Sequence, residues 1–196
     1  MSRLADALIR QAYIAPLAML PPIVIGLFVA DYNWLAQHMS ELQLRAAPIA
    51  WTIRIGAATA GVSVFLFAVG CLFLRCGVQF SWTFLAAALF GAGMVGNGVF
   101  PIGSPLHGLY GLPIFMSLVP AFFVAEFPRA APGGWFRHVS LASAFVSLAY
   151  LWGMLIGIEP EAYRGATQRA ATLVTFGWYA AAAFAVHQTP ASGGRA

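Results

Sequence analysis

The stretch AWTIRIGAATAGVSVFLFAVGCLFL, residues 50–74, is apolar throughout except for one charged side chain, Arg54, and a few small polar groups. A helix needs about 20 such residues to cross the hydrocarbon core of a bilayer, so this stretch reads as a transmembrane span. Windows of the same kind lie on either side, at roughly 12–31, 82–100, 108–126, 139–158 and 168–187. They close on polar, proline or glycine signals, among them Asp31-Tyr32-Asn33, Arg75, Phe100-Pro101 and Glu159-Pro160-Glu161. Trp34, Trp51, Trp82, Trp135, Tyr163 and Trp178 fall where interfacial aromatic belts are expected.

Composition agrees. The 196 residues are 61% hydrophobic and 8% charged, with mean hydropathy +0.81. Soluble domains are about half apolar and a quarter charged, and a soluble chain of this size has no way to hide so much apolar surface. The expected fold is all-α: a polytopic membrane protein, a bundle of six transmembrane helices in one domain over 12–187. A cytoplasmic segment (1–11) precedes it and a disordered cytoplasmic tail (188–196) follows. Pro21-Pro22 interrupts the first apolar run and no small-residue cleavage site follows, which predicts a retained first helix rather than a removed signal peptide.

Ten arginines and no lysine stand against six acids, giving a net charge of +4. The arginines are scattered singly at span ends, a pattern of headgroup anchoring that argues against a nucleic-acid partner. With the N-terminus inside, Arg3, Arg10, Arg75, Arg129, Arg137 and Arg195 are cytoplasmic, and Arg45, Arg54, Arg164 and Arg169 lie outside. Both termini are therefore expected to be cytoplasmic. Cys71 and Cys76 match no metal spacing and read as packing residues. Histidines at membrane depth that would ligate haem are lacking.

On this topology the first, third and fifth connections share the outer face. The first, about 31–49, is the longest and is a candidate for a short interfacial helix with Trp34, Leu35, Met39 and Leu42 on its apolar side. It carries His38, Ser40 and Glu41. His38 and Glu41 share a face of a helical turn, a spacing that suits two ligands of one metal, with His107 and the carboxylates Asp31, Glu159 and Glu161 as sources of a third. Ser40 and His107 also suit a nucleophile and base oriented by Glu41 or Asp31. The plainer alternative is a helix cap, with Ser40 opening a turn that holds Glu41.

Two residues within spans need partners. Asn97 sits in GAGMVGNG (91–98) and is expected to face the bundle interior. Arg54 is expected to pair with Glu41 or Asp31, or to bind an anion such as a lipid phosphate. The glycines of 91–98, with Ala87, Gly56, Ala60 and Gly61, predict close helix packing within the bundle or a face for a second copy of the chain.

Two motifs together carry a resemblance. HMSELQ (38–43) and GAGMVGNGVFPIGSPLHGL (91–109) resemble the bacterial membrane family known as domain of unknown function 998. Ser40, Glu41 and Leu42 match its first motif, and Gly98, Phe100, Pro101 and His107 its second. Gln43 stands where the family pattern has a glycine, and Gly103-Ser104 where acids are common. The resemblance covers about residues 12–185 and implies a six-helix protein of the bacterial inner membrane. It also implies that Ser40, Glu41 and His107 belong to one pattern, while supplying no activity.

The reading favoured by these residues is a protein that binds a membrane lipid or small ligand through a polar site at the outer face, formed by Asp31, His38, Arg54 and Asn97 with Ser40, Glu41 and His107. The alternatives are a membrane-embedded lipid hydrolase or metal-dependent enzyme using Ser40, Glu41 and His107, and, less favoured, a transporter. The absence of mid-membrane carboxylates and of a repeat argues against coupled transport. No substrate or cofactor is specified.

Overall fold

A computed structural model describes residues 2–74, 80–128 and 134–188, and its regular elements are all helical. Arg75, Cys76, Arg129, Arg195 and residues 189–196 of the expected tail lie outside the described residues.

The first span is a continuous run from Arg3 to Phe28. It comprises α1 (Arg3–Arg10), α2 (Ile14–Ile25) and two short 3-10 turns. The helix thus begins ahead of the apolar window. Ser2 caps it by accepting from the Ala5 amide at 3.2 Å, and Asp6 pairs with Arg10 at 2.8 Å one turn on. Ala5 and Ile9 face inward, so an amphipathic turn continues an apolar helix.

The next spans are α3 (Ala47–Leu74) and α4 (Trp82–Val99). They cross closely: a Cβ on Gly61 would lie 2.6 Å from the Gly91 carbonyl oxygen, so only glycine fits. The small-residue face is therefore occupied within the bundle. The fourth span is broken. A 3-10 stretch, Leu109–Ser117, meets α5 (Val119–Glu126) at 51°. Positive φ at Tyr110 and Gly111, with Pro113 and Pro120 following, keeps this segment from forming one straight helix. The bundle closes with α6 (Trp135–Leu155) and α7 (Arg164–Gln188). Among the described residues five helices are long and apolar enough to span a membrane, six if the bent pair counts as one span. The chain is an all-α polytopic membrane bundle.

Ser140, Ser143 and Ser147 recur at helical spacing on α6 and are buried. Ser147 meets Thr175 of α7 at 3.0 Å, and Ser140 accepts from the Trp178 indole at 2.9 Å. Small hydroxyls let the two helices approach and satisfy their polar atoms across the seam. At the termini's end of the bundle, Phe67, Phe123, Trp178 and Tyr179 form an aromatic core, with Phe67 5.2 Å from Tyr179 and 5.8 Å from Phe123. Cys71 is buried among these packing residues. At the same end, His187 on α7 contacts Asp6 on α1 at 2.8 Å.

The connections 29–46, 100–108 and 156–163 meet at the opposite end. The first carries a 3-10 helix, Met39–Leu44, folded into the bundle: Met39 and Leu42 are buried, whereas Leu35 is exposed.

Candidate functional site

The loop end is organised by Arg169, on the first turns of α7 and only 1% exposed. Its Nη1 donates to the carbonyls of Trp34 (2.8 Å), Gln37 (3.1 Å) and Gly165 (2.8 Å). Its Nη2 donates to the Tyr32 hydroxyl at 2.5 Å, and its guanidinium lies 4.6 Å from the Trp34 ring centroid. Tyr32 in turn donates to the carbonyls of Gln37 and His38. One planar cation with several donors thus gathers the carbonyls of a loop that has no sheet or helix to satisfy them. Burial pushes the Tyr32 phenol above its ordinary range, and the Arg169 hydrogen bond acts in the opposite direction. Gly165 is required here, because a Cβ would lie 2.6 Å from the Trp34 oxygen.

The Met39–Leu44 turn is capped by His38, not by Ser40. The Glu41 carboxylate accepts from the His38 amide at 2.8 Å and from Gln37 Nε2 at 3.2 Å. Glu41 is therefore the returning half of a capping box and orients no catalytic group. Gln168 of α7 accepts from the Met39 amide at 2.6 Å. Buried Gln43 bridges the other side, donating to the Asn97 carbonyl at 3.1 Å and accepting from the Ile102 amide at 3.0 Å.

His107 is fixed by the turn after α4. Its Nδ1 lies 2.9 Å from the Phe100 carbonyl. A carbonyl only accepts, so Nδ1 carries the proton and Nε2 of the neutral ring is an acceptor. A backbone carbonyl thus orients this imidazole, in place of the expected Glu41 or Asp31.

These elements enclose a cavity of about 350 Å³. The connections contribute His38, Ser40, Gln43 and His107, the helix ends Asn97 and Gln168, and deeper positions Met19, Phe90 and Phe176. Met19, Met39, Met94, Met116 and Met154, from five different elements, all line it, and they are every methionine among the described residues. Neither Ser40 Oγ nor His107 Nε2 has a hydrogen-bond partner among the described residues. Both residues are half-buried, so these two atoms are open to a partner that enters the cavity.

Of the residues singled out from sequence, His38, Ser40, Asn97 and His107 thus share one cavity. Glu41, Asp31 and Arg54 do not line it. Asp31 is an exposed turn residue with φ 55° whose carbonyl accepts from Arg45. Arg54 does not form the expected ion pair with Glu41 or Asp31. It donates instead to the Gly98 and Val99 carbonyls, at 2.9 and 2.6 Å, and stacks 4.5 Å from the Trp51 centroid. The last carbonyls of α4 lack helical partners, and Arg54 supplies them. His38 Nε2 lies 3.7 Å from Glu159, which also accepts from the Thr167 hydroxyl. Among the described residues no three His, Cys, Asp or Glu side chains cluster as metal ligands.

Both motifs carrying the resemblance line the cavity, the first through His38, Ser40 and Gln43 and the second through Met94, Asn97 and His107. A family model described as a protein of unknown function, DUF998, matches residues 13–185. The chain belongs to this family. No curated protein and no solved structure matches it. Within this DUF998 protein, sequence reasoning missed Arg169 and the methionines. Met94 and Met154 had a readable signal, since each falls near the loop end of its span, whereas Met19 and Met116 lie deeper and Met39 lies in the connection. Arg169 had none that separated it from the other span-end arginines.

Proposed function

We propose that this protein binds the apolar chain of a membrane lipid or similar amphiphile in the 350 Å³ cavity, with the head near Ser40 and His107. The observation that carries the reading is the pair of unpartnered polar atoms, Ser40 Oγ and His107 Nε2, beside a cavity lined by flexible methionines. Small-molecule sites are typically apolar clefts of about 300–1,000 Å³ with a few convergent polar groups, and methionine adapts to varied apolar shapes. The arginine bias supports an outward-facing site with both termini cytoplasmic, in a bacterial inner membrane.

Photo-cross-linking tests this. A lipid bearing a diazirine in its chain, reconstituted with the protein in nanodiscs, should label Met94 and Met116 peptides. Ala57→Trp, which fills the cavity, should abolish that labelling and spare the lipid-facing Phe145 peptide. Labelling of Phe145 alone in the wild type refutes the proposal.

A second reading has specific support. A serine hydroxyl and an imidazole with a free Nε2 in one cavity are the parts of an acyl-transfer site, with Ser40 as nucleophile and His107 as base. Covalent labelling of Ser40 by a fluorophosphonate, lost in His107→Asn, would support hydrolysis; an unreacted Ser40 leaves binding alone.

A further inference from the structure

We infer that the amphiphile this cavity accepts is uncharged, its head a hydroxyl that donates to His107 Nε2 and accepts from Ser40 Oγ. A long-chain alcohol or an acylglycerol fits; a fatty-acid anion or a phosphate-bearing lipid does not. The inference rests on the cavity-binding reading above and specifies its ligand class.

No aspartate, glutamate, lysine or arginine lines the cavity. The charges nearest in the fold are already committed. Arg169 gives Nη1 and Nη2 to three carbonyls and a phenol, its unpartnered Nε being buried and the residue standing outside the cavity lining. Arg54 gives Nε and Nη2 to two carbonyls. Glu41 holds the His38 amide and Gln37, and Glu159 holds Thr167 beside His38. A carboxylate or phosphate drawn inside would therefore lose its water without gaining a counter-charge.

Among the other polar side chains of the lining, His38 faces Glu159 at 3.7 Å, and the Asn97 amide and Tyr150 hydroxyl donate to the Met94 and Met154 sulfurs. The two atoms left open, on Ser40 and His107, are complementary to a hydroxyl. With Nδ1–H given to Phe100, the remaining ring nitrogen of the imidazole, Nε2, offers a lone pair, which accepts from an O–H and repels an anion. Ser40 offers a donor. Gln43 and Gln168 also line the space, but the Gln43 amide holds the Asn97 and Ile102 backbone, and Gln168 accepts from the Met39 amide while its own side chain meets Tyr150. A volume near the low end of ligand pockets suits one chain rather than two.

Ligands sharing one oleyl chain isolate the head. Oleyl alcohol, monoolein, oleate and lysophosphatidate with an oleoyl chain would compete at pH 8 against a diazirine-bearing oleyl alcohol for labelling of the Met94 peptide, in nanodiscs. Oleyl alcohol and monoolein should compete at least tenfold better than the two anions. Ser40→Ala and His107→Asn should each reduce that preference while retaining labelling. His107→Asn places an amide where Nδ1–H stood, keeping a donor for Phe100 while deleting Nε2. Anions that compete equally or better overturn the inference and leave cavity binding standing. A Met94 peptide that no ligand protects, or that the probe never labels, removes both.

Discussion

Replacing Arg169 with methionine keeps a side chain of similar length over the Trp34 ring and removes every donor. Three of its hydrogen bonds reach across to the first connection, to the Trp34 carbonyl, the Gln37 carbonyl and the Tyr32 hydroxyl. The Gln37 carbonyl keeps a bond from Tyr32, so two losses count. A hydrogen bond from a charged donor is worth about 1.5–3 kcal/mol net of desolvation, and the lower figure gives about 3 kcal/mol for the two. The loss should appear locally, as easier opening of residues 32–38, because the aromatic core lies at the other end of the bundle. At about 1.4 kcal/mol per tenfold, amide exchange there should quicken roughly a hundredfold. Hydrogen-exchange mass spectrometry in detergent micelles reads this, with peptides from α3 as an internal control. A change below about threefold in residues 32–38 would mean that Arg169 does not hold the loop. Arg169→Lys should show most of the defect, since one ammonium does not reproduce the planar fork.

Gly165→Ala should cost about 1–3 kcal/mol, because its Cβ would press on the Trp34 oxygen and Arg169 Nη1; a lowered melting temperature checks it. Gln43→Leu strands the Ile102 amide and frees the 100–108 turn, so exchange at Ile102 should rise about tenfold or more, corresponding to about 1–3 kcal/mol for an unmade buried bond; unchanged exchange contradicts the bridge. Glu41→Gln should weaken the capping box by about 1 kcal/mol, read as faster exchange at His38 with the cavity ligand still bound. Because burial raises the Tyr32 phenol, the fold favours its neutral form. That contribution is complete below the ordinary value near 10 and is lost as pH rises through the folded value. Tyr32→Phe should therefore flatten the loss of stability on alkaline titration, measured by melting between pH 8 and 11.

Spans were legible because apolar length alone decides them, and each of the six windows holds a helix or the bent pair. The break near Ser117 was less visible: Pro113 signals a non-helical turn, but neither the positive φ at Tyr110 nor the 51° angle between the two pieces is written in residue type. Ser40, Asn97 and His107 were found because polar residues are scarce in such a chain. Glu41 was harder. A carboxylate three residues after a helix start marks a capping box, yet His38 is not a usual cap residue, so the start itself was hidden. Arg54 and Arg169 look alike in sequence, each within the first turns of a span. Only the fold over α7 of the connection before α3 makes one of them central, and that is a tertiary fact.

The dependence of the first connection on α7 also orders assembly. Residues 32–41 leave the ribosome long before Gln168 and Arg169 exist to bond them. Until then their carbonyls must stay hydrated at the membrane surface, and α1 lacks the His187 contact at the other end. The spans enter the bilayer one after another, but the cavity forms only when the final helix docks. A nascent chain stalled before Arg164 would thus be inserted and helical, yet have no site.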